Sequence, residues 1–159
     1  MTIACATDPT ATRRGMDVIE GRPGWYRWKS FGRPQFAALS VGPMEFCDEG
    51  NGTARVRFHP TEAHLNNGGA LHGGAIMSFV DMALFAGGRL LGMPEGQYVT
   101  LDCATHFIAR GQPDVPFDAI VRLVGETRGG MVFLSGHCEQ QGTTTHSFTG
   151  TLKRIKQRA

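Results

Sequence analysis

The chain has 159 residues, 41% of them apolar and 19% charged, with a formal net charge of +2. That length supports one domain with a real core, and so small a positive charge argues against nucleic acid as a partner. The four cysteines, Cys5, Cys47, Cys103 and Cys138, have no C-x-x-C spacing; neither a metal site nor a cofactor is expected, and free thiols in a reducing, cytoplasmic setting are.

Residues 1–20 lack apolar periodicity and carry Pro9, Arg13, Arg14 and Gly15, the pattern of a mobile leader; no apolar run there resembles a signal peptide. Residues 21–35 interleave Trp25, Tyr26, Trp28 and Phe31 with Arg22, Arg27, Lys29 and Arg33. One such cluster is too little for a nucleic acid surface. It is expected to pack over one end of the domain as a short helix or lid.

The main domain is expected over residues 36–153, with a basic tail at 154–159. Residues 36–47 alternate loosely and read as a first strand. Asp48-Glu49-Gly50-Asn51-Gly52 is a turn signal, and residues 53–59 alternate Ala54, Val56 and Phe58 against Arg55 and Arg57 until Pro60 stops them. Residues 97–109 form a long strand pattern. Strict alternation puts Val99, Leu101, Cys103, Thr105 and Phe107 on one face, and Tyr98, Thr100, Asp102, Ala104 and His106 on the other. Residues 117–126, 131–140 and 143–153 are further strands, joined by the hairpin-like turns Arg128-Gly129-Gly130 and Gln141-Gly142.

Between the second and third of these strands lies the stretch HLNNGGALHGGAIMSFVD, residues 64–81. It holds two asparagines and two glycine pairs and runs into an apolar segment reaching Leu91, predicted to be a helix ending near Gly92 with Pro94 beyond. Met77, Phe79, Val80, Met82, Leu84 and Phe85 point all round a 3.6-residue period, as in a buried helix. Asp81 sits among them as the only acid between Glu62 and Glu95. A carboxylate so placed must be paired, hydrogen-bonded, neutral or used. Apolar neighbours would raise its pKa, which suits a base. The segment is short for a membrane span and is interrupted by Asp81, Gly87, Gly88 and Arg89, so no membrane partner is expected.

At the predicted helix start, Gly73-Gly74 follows His72. Glycines let a ligand approach the backbone. The first helical N–H groups have no intrahelical partner and sit at the positive end of the dipole, a cradle for a developing oxyanion. His72 is a candidate catalytic residue: it is expected to hydrogen-bond locally and fix this turn, with a smaller role in the site, and a general base is its alternative role. The fold class that follows is α+β: an antiparallel sheet of five to six strands wrapped around one long helix. One sheet covers one side of such a helix, so a second copy is expected to cover the rest, giving at least a homodimer.

Asn66, Gly68 or Gly69, Leu71-His72-Gly73-Gly74 and Asp81 together resemble the signature of hotdog-fold acyl-CoA thioesterases of the phenylacetate-degradation, PaaI-like type. The resemblance runs loosely from Phe36 to Leu152. It implies a hotdog fold, hydrolysis of aryl or medium-chain acyl-CoA, and dimers paired into a homotetramer. It further implies that the Gly73 backbone N–H holds the thioester oxygen. Asn66, with Asn67 its rival, places the thioester or the water. Asp81 from the partner subunit is general base or nucleophile, and Thr100 matches a residue that orients water in some relatives. Strict alternation turns Thr100 away from the helix if the Val99–Leu101 face covers it; a bulge would turn it back. Gly74, Met77 and Phe85 are expected to line the substrate site, and Arg110 and Arg128 to meet the coenzyme A phosphates. Two alternatives stand beside this: a hotdog dehydratase or hydratase, for which His64 could be the histidine, and a non-catalytic acyl-CoA-binding module.

Overall fold

The computed structural model describes Cys5 and residues 15–29 and 35–155. All strands lie in one antiparallel sheet. In chain order the elements are β1 (Met16–Val18), β2 (Trp25–Trp28), α1 (Phe36–Ser40), β3 (Met44–Asp48), β4 (Thr53–Phe58), α2 (Gly73–Leu90), β5 (Gln97–Phe107), β6 (Phe117–Glu126), β7 (Met131–Gln140) and β8 (Thr143–Ile155). The sheet order is β1-β2-β3-β4-β6-β7-β8-β5, and the sheet wraps α2. That is the expected hotdog architecture, with eight strands in place of five or six.

The two additional strands lie where the sequence suggested a leader and a helical lid. Met16 is buried at 4% exposure and stands opposite Trp28 in the register. Tyr26, fully buried, faces Phe46 across the β2–β3 pair. Short runs of alternating apolar residues bury one face only when an existing sheet edge accepts them, a tertiary term that local periodicity does not contain. The leader expectation otherwise falls on residues outside those described. Residues 36–47 are not one strand: Phe36–Ser40 forms a short helix, Gly42 turns the chain at φ +83°, and only Met44–Asp48 pairs with β4.

The turns follow their residues. Asp48 Oδ1 accepts the Gly50 N–H at 2.9 Å and Asn51 Oδ1 accepts that of Thr53 at 3.1 Å. Gln141 and Gly142 both have positive φ, +50° and +78°, as a tight hairpin between β7 and β8 requires. Helix α2 stops where expected, the Met93 N–H reaching back to the Gly88 carbonyl at 2.8 Å.

Ile76, Phe79, Val80, Ala83, Leu84 and Leu90 bury one side of α2 against Phe46, Phe58, Val121, Leu134 and Leu152. The helix lies very close to the sheet. A Cβ on Gly87 would come within 2.5 Å of the Val121 side chain, and one on Gly150 within 2.2 Å of Leu84, so glycine at both points sets the approach. The helix is not covered all round, however. Met77 is 48% exposed, and Asp81, Met82, Phe85 and Arg89 are only partly buried.

The opposite face of the sheet is polar and tightly paired. Arg55 bonds Glu49, Asp118 and Glu139, each at 2.7 Å, and Arg57 grips Asp118 with Nε and Nη2 at 2.6 and 2.7 Å. Burial works against the Arg55 charge, but the three carboxylates outweigh it and hold its pKa above the ordinary arginine range. Trp25 covers this network, with the guanidinium of Arg22 4.1 Å and that of Arg57 5.3 Å from its ring centre.

Candidate active site

The loop before α2 is closed at both ends. Leu65 and Leu71 form a bridge, and the Asn66 N–H donates to the Ala70 carbonyl at 2.8 Å. Asn66 Oδ1 accepts the Gly68 N–H at 2.8 Å and that of Ala70 at 3.3 Å. Its oxygen is therefore occupied by the loop, and among the described residues its side-chain N–H₂ is the end left for a ligand. Asn67 stands exposed at the tip. Gly69 turns the chain at φ +70°, a conformation glycine adopts without penalty. The Arg110 guanidinium ties the loop from outside, donating to the Gly68 carbonyl at 2.6 Å.

His72 caps the helix. Its Nδ1 accepts the Gly74 N–H at 2.9 Å, which fixes the neutral tautomer with the proton on Nε2. The Ile76 N–H closes the first turn on the His72 carbonyl at 3.1 Å. Among the described residues no acceptor meets the Gly73 N–H. The sequence missed what flanks it: a Cβ on Gly73 would stand 3.4 Å from the Phe107 ring, which itself packs edge-on against buried His146 at 4.9 Å. Burial holds the His146 pKa below the ordinary histidine value, so an uncharged aromatic pair lies behind the helix entrance. The only signal in the sequence was a polar residue, His146, within a strand pattern.

Two turns along α2, the Thr100 hydroxyl donates to Asp81 Oδ1 at 2.7 Å. Strict alternation pointed Thr100 away, and the register explains the difference. Thr100 stands opposite Leu152, whereas Asp102 stands opposite Thr151, so a bulge lies between them. Before the bulge Tyr98 and Thr100 face the helix and Val99 and Leu101 face out, 41% and 59% exposed; after it Cys103 packs on the core. An extra residue exchanges the faces, as β-bulges do. The Cys103 thiol is pushed up by burial first and then by the carboxylates of Asp81 and Asp102, so it stays protonated beside Asp81.

Asp81 opens onto a groove of about 890 Å³ lined by Met82, Phe85 and Arg89 of the same helix and by Trp28 and Met44 opposite. Phe85 thus lies in the groove; Met77 stands a turn before Asp81, outside it. Arg110 is at the Gly73 end of the molecule, whereas Arg128 is in the turn whose Gly130 carbonyl bonds the Arg154 N–H, at the Tyr98 end of β5. One chain does not bring these arginines together. Nor does it join the two halves of the site, since Gly73 and Asp81 are eight residues apart, about 12 Å along a helix. His64 is occupied elsewhere, its Nδ1 accepting the Thr61 N–H at 2.9 Å. Among the described residues no three His, Cys, Asp or Glu side chains gather to hold a metal ion, and no helix is long and apolar enough to cross a membrane.

Residues 68–133 match the family model of the thioesterase superfamily. Among solved structures, the chain is similar to the Escherichia coli PaaI protein of the phenylacetic acid degradation operon, with a TM-score of 0.64 and 21% identity over 77% of this chain and 86% of that one. It is similar to the Pseudomonas aeruginosa protein PA5202, TM-score 0.63 and 23% identity over 77% and 95%. A hypothetical thioesterase from Streptococcus pneumoniae, solved with coenzyme A, gives 0.59 and 22% over 69% and 86%. No individually curated protein sequence matches. The fold is shared with these structures, and the chain resembles the PaaI-like hotdog thioesterases.

Proposed function

We propose that this chain, hotdog in fold and PaaI-like in resemblance, hydrolyses acyl-CoA thioesters to the free acid and coenzyme A. The observation that carries the reading is a partly exposed carboxylate on the apolar helix α2, fixed at 2.7 Å by the hydroxyl of Thr100 on the neighbouring strand β5. The coenzyme A bound to the Streptococcus pneumoniae relative supports this choice of carrier.

The site is made by two chains. Gly73 of one protomer receives the thioester oxygen on its N–H, and the positive end of α2 favours the charge that develops there. The Asn66 amide places the thioester. Asp81 of the partner subunit, with one oxygen taken by Thr100, uses the other to remove a proton from water. The water oxygen bonds to the carbonyl carbon, the tetrahedral intermediate collapses, the C–S bond breaks, and the proton returns to the leaving thiolate. Direct attack by the Asp81 carboxylate is the other route: its oxygen bonds to the carbonyl carbon, the C–S bond breaks to release the thiolate, and water then hydrolyses the mixed anhydride. Labelled water oxygen found in Asp81 after a single turnover marks this route, with water attacking the Asp81 carbonyl carbon. Gly74, Met77 and Phe85 flank the substrate, and Arg110 and Arg128 from different protomers meet the coenzyme A phosphates. A homodimer is the minimum assembly, a homotetramer the expected one, and the cytoplasm the expected compartment.

Release of free thiol from acyl-CoA tests the reaction. Asp81→Ala is expected to fold normally and to lose at least about 10²-fold in kcat. Hydrolysis at the wild-type rate by that variant would remove the assignment. Absence of thiol release by the wild-type protein would leave the dehydratase or binding-module readings.

A further inference from the structure

The groove beside Asp81 has one wall from α2 and another from much earlier in the chain. Met82 and Phe85 form the first; Trp28 at the end of β2, Ala37 on α1 and Met44 at the start of β3 form the second. The second wall is shared. Trp28, Ala37 and Met44 also line a neighbouring cavity of about 510 Å³. Trp28 is held upright by Phe46, with ring centres 5.1 Å apart, and by Met16 opposite it in the register.

The groove also has an end. Arg89 closes it two turns beyond Asp81, about 12 Å along the helix axis. Its guanidinium donates to the Gly96 carbonyl at 2.6 Å and lies 5.9 Å from the Tyr98 ring centre, so the charge is fixed there. Glu95 and Arg154 lie at the same rim. The lining is thus apolar next to the carboxylate and charged at the far end.

We infer that this groove is the acyl subsite and that the N-terminal strands and α1 set which acyl groups it accepts. The inference rests on the thioesterase reading above. An apolar acyl group of medium length, lying from Asp81 toward Arg89, buries its methylenes between Phe85 and Trp28. A chain reaching the charged rim has no apolar surface left to cover. Each methylene buried before that point is worth about fourfold in kcat/KM, the equivalent of about 0.8 kcal/mol.

The test is the kcat/KM of acetyl-, hexanoyl- and decanoyl-CoA for the full chain and two variants. The wild-type protein is expected to favour hexanoyl over acetyl by about tenfold or more. Trp28→Ala joins the groove to the neighbouring cavity and is expected to raise the decanoyl-to-hexanoyl ratio about tenfold. Ala37→Trp, a change on the partly exposed α1, narrows the groove and is expected to lower the decanoyl-to-acetyl ratio by a similar factor. Ratios unchanged in Ala37→Trp, or a wild-type protein indifferent to chain length, would overturn the inference while leaving the hydrolysis in place. A wild-type protein that frees no thiol from any of the three but does so from phenylacetyl-CoA overturns this inference alone; one that frees none from phenylacetyl-CoA either overturns the thioesterase reading with it.

Discussion

Thr100 and His72 do related work at the two halves of the proposed site: each spends a hydrogen bond on holding one group still. Thr100 gives its hydroxyl proton to Asp81 Oδ1, and His72 gives its Nδ1 lone pair to the Gly74 N–H. Thr100→Val keeps shape and volume but removes that bond to the carboxylate. A hydrogen bond to a charged group contributes about 1.5–3 kcal/mol to stability, so the variant is expected to melt lower by up to that amount, and kcat is expected to fall as the carboxylate loses its fixed position. Steady-state kinetics beside a melting curve checks both. His72→Asn retains a capping oxygen and is expected to keep activity within about tenfold; His72→Ala loses the cap and about 1 kcal/mol of stability. An inactive, fully stable His72→Asn protein would make the ring a reacting group. Much of this was legible in advance. Asp81 stood out as a lone acid in an apolar run, and His72 before two glycines announced a capped helix start. Phe107 and His146 behind Gly73 were not legible, because their approach joins a strand end, a second strand and a helix across long sequence separations.

The elements show why alternation succeeds on β4 and fails on β5. On β4, Val56 and Phe58 do face the core while Arg55 and Arg57 face the polar network, as counted by twos. On β5 the same count fails at Leu101, because one inserted residue exchanges the faces on either side. No residue type in Thr100-Leu101-Asp102 announces a bulge; it exists in the pairing with β8. The N-terminal strands escaped for a related reason, being three and four residues long and dependent on the edge of β3. The polar network gives an element-scale prediction. Asp118 accepts from both Arg55 and Arg57 and lies almost wholly out of solvent. Asp118→Asn removes one of the three carboxylates around two partly buried guanidinium groups, the one that Arg57 grips with both Nε and Nη2, and is expected to cost about 1–3 kcal/mol. Urea denaturation measures it. Because this network lies on the sheet face away from α2, the chain-length profile of the remaining folded protein should not change.

At the scale of the whole molecule, the proposed function requires a second copy, and two surfaces of the chain fit that requirement. β5 is eleven residues long and lies at the edge of the sheet, with β8 on one side and, among the described residues, no strand on the other. A long open edge is a pairing surface unless it is protected. The uncovered stripe of α2, with Met77 half exposed and Asp81 beside it, lies next to that edge through Thr100. Within one chain the carboxylate and the Gly73 N–H are about 12 Å apart along the helix, too far to act on one carbonyl. In the proposed dimer, two β5 edges joined by a twofold axis would give each carboxylate the other protomer's helix entrance to face. Asn66→Ala and Asp81→Ala each impair both sites of a homodimer. In a mixed dimer one site carries both lesions and the other carries none. Refolding an equal mixture of the two inactive variants should therefore restore about a quarter of wild-type thiol release, from half the dimers and one site in each. No more activity in the mixture than in the two variants measured apart would contradict a site shared between chains.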